Sequence, residues 1–335
     1  MMKSALIKFL SRAGAPYILR SHKHRNKLIT ILCLHRVSDE ESITFPPFKI
    51  KDFELLLKYI DKHYQVVTIE TLSTVKNSKP AIILSFDDGF LDFFENALPL
   101  LKKYGMPCNL NVVTNCLNNN FQIWTQRQNN LLQEIFIRKH HCVLDLGSKQ
   151  IMPTGRQVII DNFHSQNIIE KNLELFHFLF SKDEDFVAQF LNEVESKMPF
   201  KIPTTLMMSW DNLKDALGKY DIELGSHSAS HITLSNIRDK EKLAAEINDS
   251  KILIEKHTGR KVNIFAFPNG NYNEEAIEEC KLAGYRHVLT VDERLIKKEN
   301  VNEFKLPRLL IPYNNYYENL LKVENFQNTI KSIIK

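Results

Sequence analysis

The chain of 335 residues lacks any apolar run approaching the ~20 residues that span a bilayer, so no transmembrane helix is expected. Its five cysteines, Cys33, Cys108, Cys116, Cys142 and Cys280, are odd in number, scattered and without a CxxC pair. That excludes a disulfide framework and a cysteine zinc site and points to a reducing compartment. Near the N-terminus Lys8 and Arg12 interrupt and follow the apolar residues Ala5, Leu6, Ile7, Phe9 and Leu10, leaving no signal-peptide core. A cytoplasmic location follows as the expectation. Basic residues exceed acidic ones by only 44 to 40, a net charge of +4, so no nucleic-acid partner is expected. No internal repeat is visible. With 43% hydrophobic and 25% charged residues the composition is that of a soluble globular protein of one large domain or two ordinary ones.

What is present is alternation. Short apolar runs rich in Ile, Val and Phe alternate with longer amphipathic stretches, the pattern of an α/β protein with a mainly parallel sheet. Strands are predicted over 28–34, 65–69, 81–86, 108–113, 222–226, 263–267, 287–291 and 304–311, and helices over 51–63, 91–104, 210–219, 239–258 and 273–283. The last two helices each stop before a glycine, Gly259 and Gly284. The stretch 117–206 breaks the rhythm and reads as a mostly helical insertion (122–139, 167–180, 184–197), entered through Asn118, Asn119 and Asn120 and left through Pro199 and Pro203. The expected organisation is therefore a basic amphipathic segment 1–27, a barrel domain 28–315 carrying the insertion, and a terminal helix 316–335.

Four predicted strand ends carry polar residues. The run Ala81 to Phe86 delivers Asp87, Asp88 and Gly89, at the edge where α/β barrels build active sites. Alone, the same residues would also suit an ordinary turn. After 222–226 come His227 and His231, four apart; a helical turn there would put both rings on one face, able to share a metal. Two histidines and one carboxylate make a ligand set for a catalytic divalent ion with an open position, and the spare carboxylate is then a natural general base. Beyond 263–267, Pro268, Asn269 and Gly270 shape a tight loop before Tyr272, and His35 ends the first strand.

These residues resemble the motifs of the polysaccharide deacetylases, carbohydrate esterase family 4. Ser85-Phe86-Asp87-Asp88-Gly89 is similar to the first motif, His227-Ser228-Ala229-Ser230-His231 to the second, and Phe267-Pro268-Asn269-Gly270 to a variant of the third. The flanks, including Pro99-Leu100-Leu101, Trp124, Gly259 and Ala283-Gly284-Tyr285, are similar to the bacterial surface-polysaccharide branch. The resemblance implies a distorted (β/α) barrel of about seven to eight mainly parallel strands and hydrolysis of N-acetyl groups on an amino-sugar saccharide. It implies Asp87 as base, Asp88, His227 and His231 as ligands of a divalent metal, most plausibly zinc, and the backbone N–H of Asn269 as oxyanion donor.

Two departures shape the expectations further. The arginine that opens the third motif in this family is missing from 263–266, so Arg308, beyond the start of the 304–311 strand, is the candidate to orient Asp87. The C-terminal segment has no copy of the last histidine motif. Some members of this branch resemble circular permutants with that motif at the first strand, which makes His35 the candidate acid. Pro268, Trp124 and Tyr272 are candidate saccharide contacts, with core packing the other reading of Trp124. Two rival functions are a catalytically inactive saccharide-binding protein, motivated by the missing arginine, and a metal-dependent glycosyltransferase, which leaves both histidines unexplained. The sequence leaves open the sugar, its polymeric, lipid-linked or nucleotide-linked form, and the oligomeric state. Residues 1–38 hold no acidic side chain but Lys3, Lys8, Arg12, Arg20, Lys23, Arg25, Lys27 and Arg36, with Leu6, Phe9, Leu10 and Ala13 on one helical face. Such a segment suits peripheral contact with an anionic inner membrane leaflet, or simple packing on the barrel.

Overall fold

The computed structural model describes residues 2–72, 78–118, 121–145, 157–311 and 315–326. Helices α1 (Met2–Arg12) and α2 (Ala15–Arg25) precede strand β1 (Leu28–Leu34); then come α3 (Ile50–His63), β2 (Gln65–Val66), β3 (Ala81–Phe86), α4 (Leu98–Lys103) and β4 (Cys108–Val112). The chain next leaves the sheet through α5 (Trp124–Arg138), the hairpin β5 (Cys142–Asp145) and β6 (Gln157–Ile160), α6 (Ser165–Phe180) and α7 (Glu184–Ser196). It returns with α8 (Trp210–Lys219), β7 (Ile222–Ser226), α9 (Lys240–Ala244), α10 (Ser250–Thr258), β8 (Ile264–Ala266), α11 (Glu274–Leu282) and β9 (His287–Thr290). Strands β10 (Ile296–Lys297), β11 (Lys305–Pro307) and β12 (Leu309–Leu310) and helix α12 (Tyr316–Val323) complete it.

The main sheet runs β10-β1-β3-β4-β7-β8-β9-β11, with β2 beside β3 and β12 beside β1. All pairings are parallel except β10 on β1. Because β11 pairs with β9 and β12 with β1, the two short strands flanking Arg308 carry the chain across the seam and nearly close the sheet into the expected (β/α) barrel. Strand β3, Ala-Ile-Ile-Leu-Ser-Phe, is buried at every position, as a parallel strand covered on both faces must be. The predicted strand 304–311 is thus two, divided at Arg308. The predicted helices 91–104 and 239–258 each contain a π turn, Phe93–Ala97 and Ala245–Asp249. The hairpin β5–β6 and the antiparallel β10 have no counterpart in the sequence reading.

Helices α5, α6 and α7 and the β5–β6 hairpin pack around their own apolar core, which includes Leu131, Ile135, Leu175 and Leu191. Helix α1 meets α12, where Arg12 Nη2 donates to the Tyr317 hydroxyl at 3.0 Å. Lys23, only 1% exposed, donates to Thr30 Oγ1, to the Tyr64 hydroxyl and to the Val323 carbonyl, and faces Glu324 at 3.7 Å. Burial lowers its pKa to about 8 against the opposing pull of Glu324. The basic segment is therefore partly turned inward, with Arg20 also bound to Tyr59 at 2.7 Å. Of the terminal helix expected over 316–335, α12 covers the first part, and 327–335 lie outside the described residues. Among the described residues no helix is long and apolar enough to cross a membrane.

Candidate active site

Strand β3 ends where its backbone turns sharply. Asp87 N still donates to the Leu34 carbonyl at 2.9 Å, continuing the β1 ladder, but Asp88 (φ 75°) and Gly89 (φ 83°) are left-handed. A left-handed non-glycine residue is costly and is held only by a surrounding structure that determines it. Here it turns the Asp88 carboxylate towards the histidines. The second motif follows β7. His227 N donates to the Val112 carbonyl at 2.9 Å, and the chain then runs through left-handed Ser228 and His231, so the two rings converge without a helical turn between them. Glu246, buried in the π turn between α9 and α10, shapes this loop: its carboxylate accepts from the N–H of Ala229 and Ser230 and from the Ser230 hydroxyl at 2.6 Å.

The result is a convergent set. Asp88 Oδ1 lies 3.4 Å from His227 Nε2 and 3.4 Å from His231 Nε2, and all three side chains are buried. His227 Nδ1 sits 2.8 Å from the Ala266 carbonyl; donating its hydrogen there leaves Nε2 as a lone pair facing Asp88, the usual orientation of a ligating imidazole. Burial pushes the His231 pKa down to about 4, keeping that ring neutral. Asp88 Oδ1 has no hydrogen-bond donor although it is buried. An orphaned carboxylate oxygen between two imidazole nitrogens fits a metal: with zinc bonds of about 2.0–2.1 Å, tetrahedral ligand atoms stand about 3.4 Å apart.

Asp87 is held differently. Its Oδ1 accepts from Arg308 Nη1 at 2.7 Å and Asn111 Nδ2 at 2.7 Å, and its Oδ2 faces the Cys33 thiol at 3.5 Å. Burial alone would raise its pKa; the Arg308 charge and then His227 overcome this and hold it well below the usual carboxylate range. Arg308 is fully buried and also reaches Ser85 Oγ at 3.1 Å. Room for Asn111 comes from Gly225 on the neighbouring strand, where an added Cβ would lie 2.0 Å from Asn111 Oδ1. Cys33, His35 and Asp87 form a second group of close ligand atoms. Arg308 already neutralises that carboxylate, and burial raises the Cys33 pKa so that it stays a thiol, which argues against a second cation there.

These groups line a cavity of about 420 Å³ together with His35, Asn269 and Arg308. His35 stands edge-on to Phe45 at 5.9 Å, and Asn269 is left-handed at φ 54°. The other three residues singled out from sequence are not among the lining. Trp124 stacks on Phe176 at 5.5 Å and borders a separate cavity of about 310 Å³ between α5, α7 and the loop after His231. Tyr272 stacks on Phe267 at 4.9 Å, and Pro268 is buried. Site contacts that no sequence motif announced come from Cys33, Asn111 and Glu246. Two asparagines inside the buried strand Cys-Asn-Leu-Asn-Val were the available signal, since buried amides need partners.

Residues 185–288, under a third of the chain, match the family model described as polysaccharide deacetylase. They include His227, His231 and the Phe267 to Gly270 loop; Asp87 and Asp88 lie outside them. The comparisons support the polysaccharide deacetylase family. The chain is 21% identical over 270 residues to the Bacillus subtilis (strain 168) protein YxkH, named for the same family; the aligned part is 79% of this chain and 64% of that protein, just under two thirds of its length. Three solved structures share the fold. The Streptococcus pyogenes deacetylase PplD, in complex with acetate, is 17% identical with a TM-score of 0.55, covering 89% of this chain and 98% of its own. BC0361, a polysaccharide deacetylase from Bacillus cereus, is 16% identical with a TM-score of 0.56, covering 89% and 69%. IcaB from Ammonifex degensii is 16% identical with a TM-score of 0.55, covering 89% and 97%. Within the polysaccharide deacetylase family a divalent metal is general, and Asp88, His227 and His231 are the residues here that could hold one.

Proposed function

We propose that the protein is a metal-dependent hydrolase that removes N-acetyl groups from an amino-sugar saccharide. The observation that carries this reading is the pair of differently prepared carboxylates, one orphaned between two imidazoles and the other bound to a buried guanidinium. A divalent ion held by Asp88, His227 and His231 would supply the charge that polarises the acetyl carbonyl and acidifies water. The protein's own groups do the rest. Asp87, kept ionised by Arg308, accepts the proton of the attacking water. The new C–O bond gives a tetrahedral oxyanion, towards which the backbone N–H of Asn269 serves as donor. His35 protonates the amine as the C–N bond breaks, leaving acetate and a free amino sugar, and the proton that Asp87 took from water replaces the one His35 gives up. Arg308 also removes the motive for an inactive binding protein, because it supplies a guanidinium to Asp87 from another strand.

The test is metal dependence. Purified protein is expected to bind one zinc per chain, and chelation to stop acetate release from an N-acetylated oligosaccharide. His227→Ala and His231→Ala should each lose both metal and activity; full activity in either would sink the assignment. For His35→Ala the expected result is a loss of about 10²- to 10⁴-fold in kcat on amides with metal retained. On an activated acetyl ester, whose leaving group needs little protonation, the loss should be much smaller. An equal loss on both substrates would remove His35 from the acid role.

We further propose that the enzyme works in the cytoplasm, in peripheral contact with the inner membrane surface. Phe9, Tyr17 and Ile18 are each about two thirds exposed, at 66%, 67% and 68%, on helices rich in lysine and arginine. That combination suits an anionic headgroup layer, where each basic residue contributes about 1 kcal/mol before screening. Co-sedimentation with anionic vesicles at low salt should exceed that with neutral vesicles and fall on Phe9→Glu with Ile18→Glu. Equal binding to both vesicle types would refute the membrane contact.

A further inference from the structure

Helices α5 and α6 of the insertion form part of the wall of the candidate active-site cavity. The chain leaves the sheet after β4, and in the sheet β3 lies between β4 and β1. Helix α5 nevertheless bonds to the loop that follows β1: Ile43 N donates to Gln133 Oε1 at 2.9 Å, and Thr44 Oγ1 to the Asn129 carbonyl at 3.0 Å. Thr125, Gln126 and Asn129 of α5 thereby line the same cavity as Asp87 and Asp88, which follow β3. Helix α6 is latched to α5 in turn. Asn172 Nδ2 donates to Asn129 Oδ1 at 2.9 Å, and Gln128 Nε2, on a residue only 1% exposed, donates to the Asn172 carbonyl at 2.8 Å. From α6, Leu173 and Phe176 join the lining of the same cavity as the ligand set.

From this bridge we infer that the protein acts on the terminal N-acetylated sugar of its substrate and excludes sugars inside a longer chain. This rests on the deacetylase reading above. An internal residue needs its neighbours to continue on two sides of the reacting acetamide, so the site must be an open trough. Here the contact between α5 and the loop 42–45 walls one side of the cavity through Thr44, Phe45 and Asn129, with Phe45 braced against Phe90 at 6.3 Å. The cavity of about 420 Å³ is at the lower end of the roughly 300–1,000 Å³ found for small-molecule sites. It has room for an end sugar and a little more. Leu173 and Leu310, 51% and 40% exposed, mark the open side from which that end enters.

The experiment uses full-length, zinc-loaded protein and two variants that weaken the bridge, Gln133→Ala alone and Thr44→Val with Gln133→Ala and Phe176→Ala. Each is assayed on N-acetylglucosamine oligomers from disaccharide to hexasaccharide and on soluble glycol chitin. Rates are normalised to 4-nitrophenyl acetate hydrolysis by the same preparation, which needs the metal and Asp87 but no room for a saccharide. The expected result is that wild type releases no more than one acetate per oligomer whatever its length, located by mass spectrometry at an end residue. On glycol chitin the opened variants should gain at least about tenfold in normalised rate over wild type, within the range that pocket contacts discriminate. Acetate released by wild type in proportion to chain length would overturn the inference. So would opened variants that gain nothing on the polymer, because the bridge would then not be what excludes it. Absence of ester hydrolysis in wild type would instead overturn the deacetylase reading itself.

Discussion

Asp87→Asn is expected to retain bound zinc while kcat for deacetylation falls by about 10²- to 10⁴-fold, the contribution typical of a general base. The amide fills the same volume and can still face Arg308 and Asn111, but it cannot take a proton from water. Asp88→Asn should show the opposite signature, because the atom it weakens is the oxygen 3.4 Å from both imidazole nitrogens. Metal content by elemental analysis, with kcat measured on zinc-saturated protein, separates the two. If both variants lose metal to the same degree, the division between base and ligand is wrong.

Arg308→Met is expected to destabilise the fold by about 3–5 kcal/mol, the usual cost of stranding one member of a buried ion pair. Arg308 is fully buried and Asp87 only 2% exposed, so the carboxylate left behind would have little solvent to screen its charge. Arg308→Lys should recover part of this, since it restores the charge without the second contact to Ser85. The discriminating measurement is a double-mutant cycle by urea denaturation. Asp87→Asn combined with Arg308→Met should be more stable than the sum of the single changes implies, because no unpaired charge remains. Strict additivity would mean that Arg308 stabilises the barrel by packing across the seam and not through Asp87.

The site was legible where its residues sit together in sequence at a strand end. Asp87 and Asp88 close one apolar run and His227 and His231 follow another, and a parallel barrel delivers such ends to one edge. Arg308 could be nominated because the third motif lacks its arginine and the candidate lies near another strand end. Asn111 and Ser85 were hidden because their partners are set by sheet register: Ser85 pairs with Cys33 on one side and Asn109 on the other. The shape of the loop that joins the two histidines was hidden for a related reason. Four-residue spacing suggested a helical turn, but the buried Glu246 carboxylate holds the loop in another shape. Trp124 was ambiguous from sequence because an indole that stacks on sugar and one that stacks on Phe176 look alike there.

The seam at Arg308 also has a consequence for how the chain matures. Asp87 and Arg308 are 221 residues apart, and the arginine arrives on the last short strands of the barrel. During synthesis from the N-terminus, β3 and its two carboxylates emerge long before their counter-charge does. Until β12 docks beside β1, Asp87 has no guanidinium to face, so a partly made chain can have most of the sheet and no competent centre. Such long-range pairing is slow to form because loop closure precedes the contacts that reward it. Activity is thereby tied to completion of the barrel, and a nascent or C-terminally clipped protein that still folds its early strands would be catalytically silent.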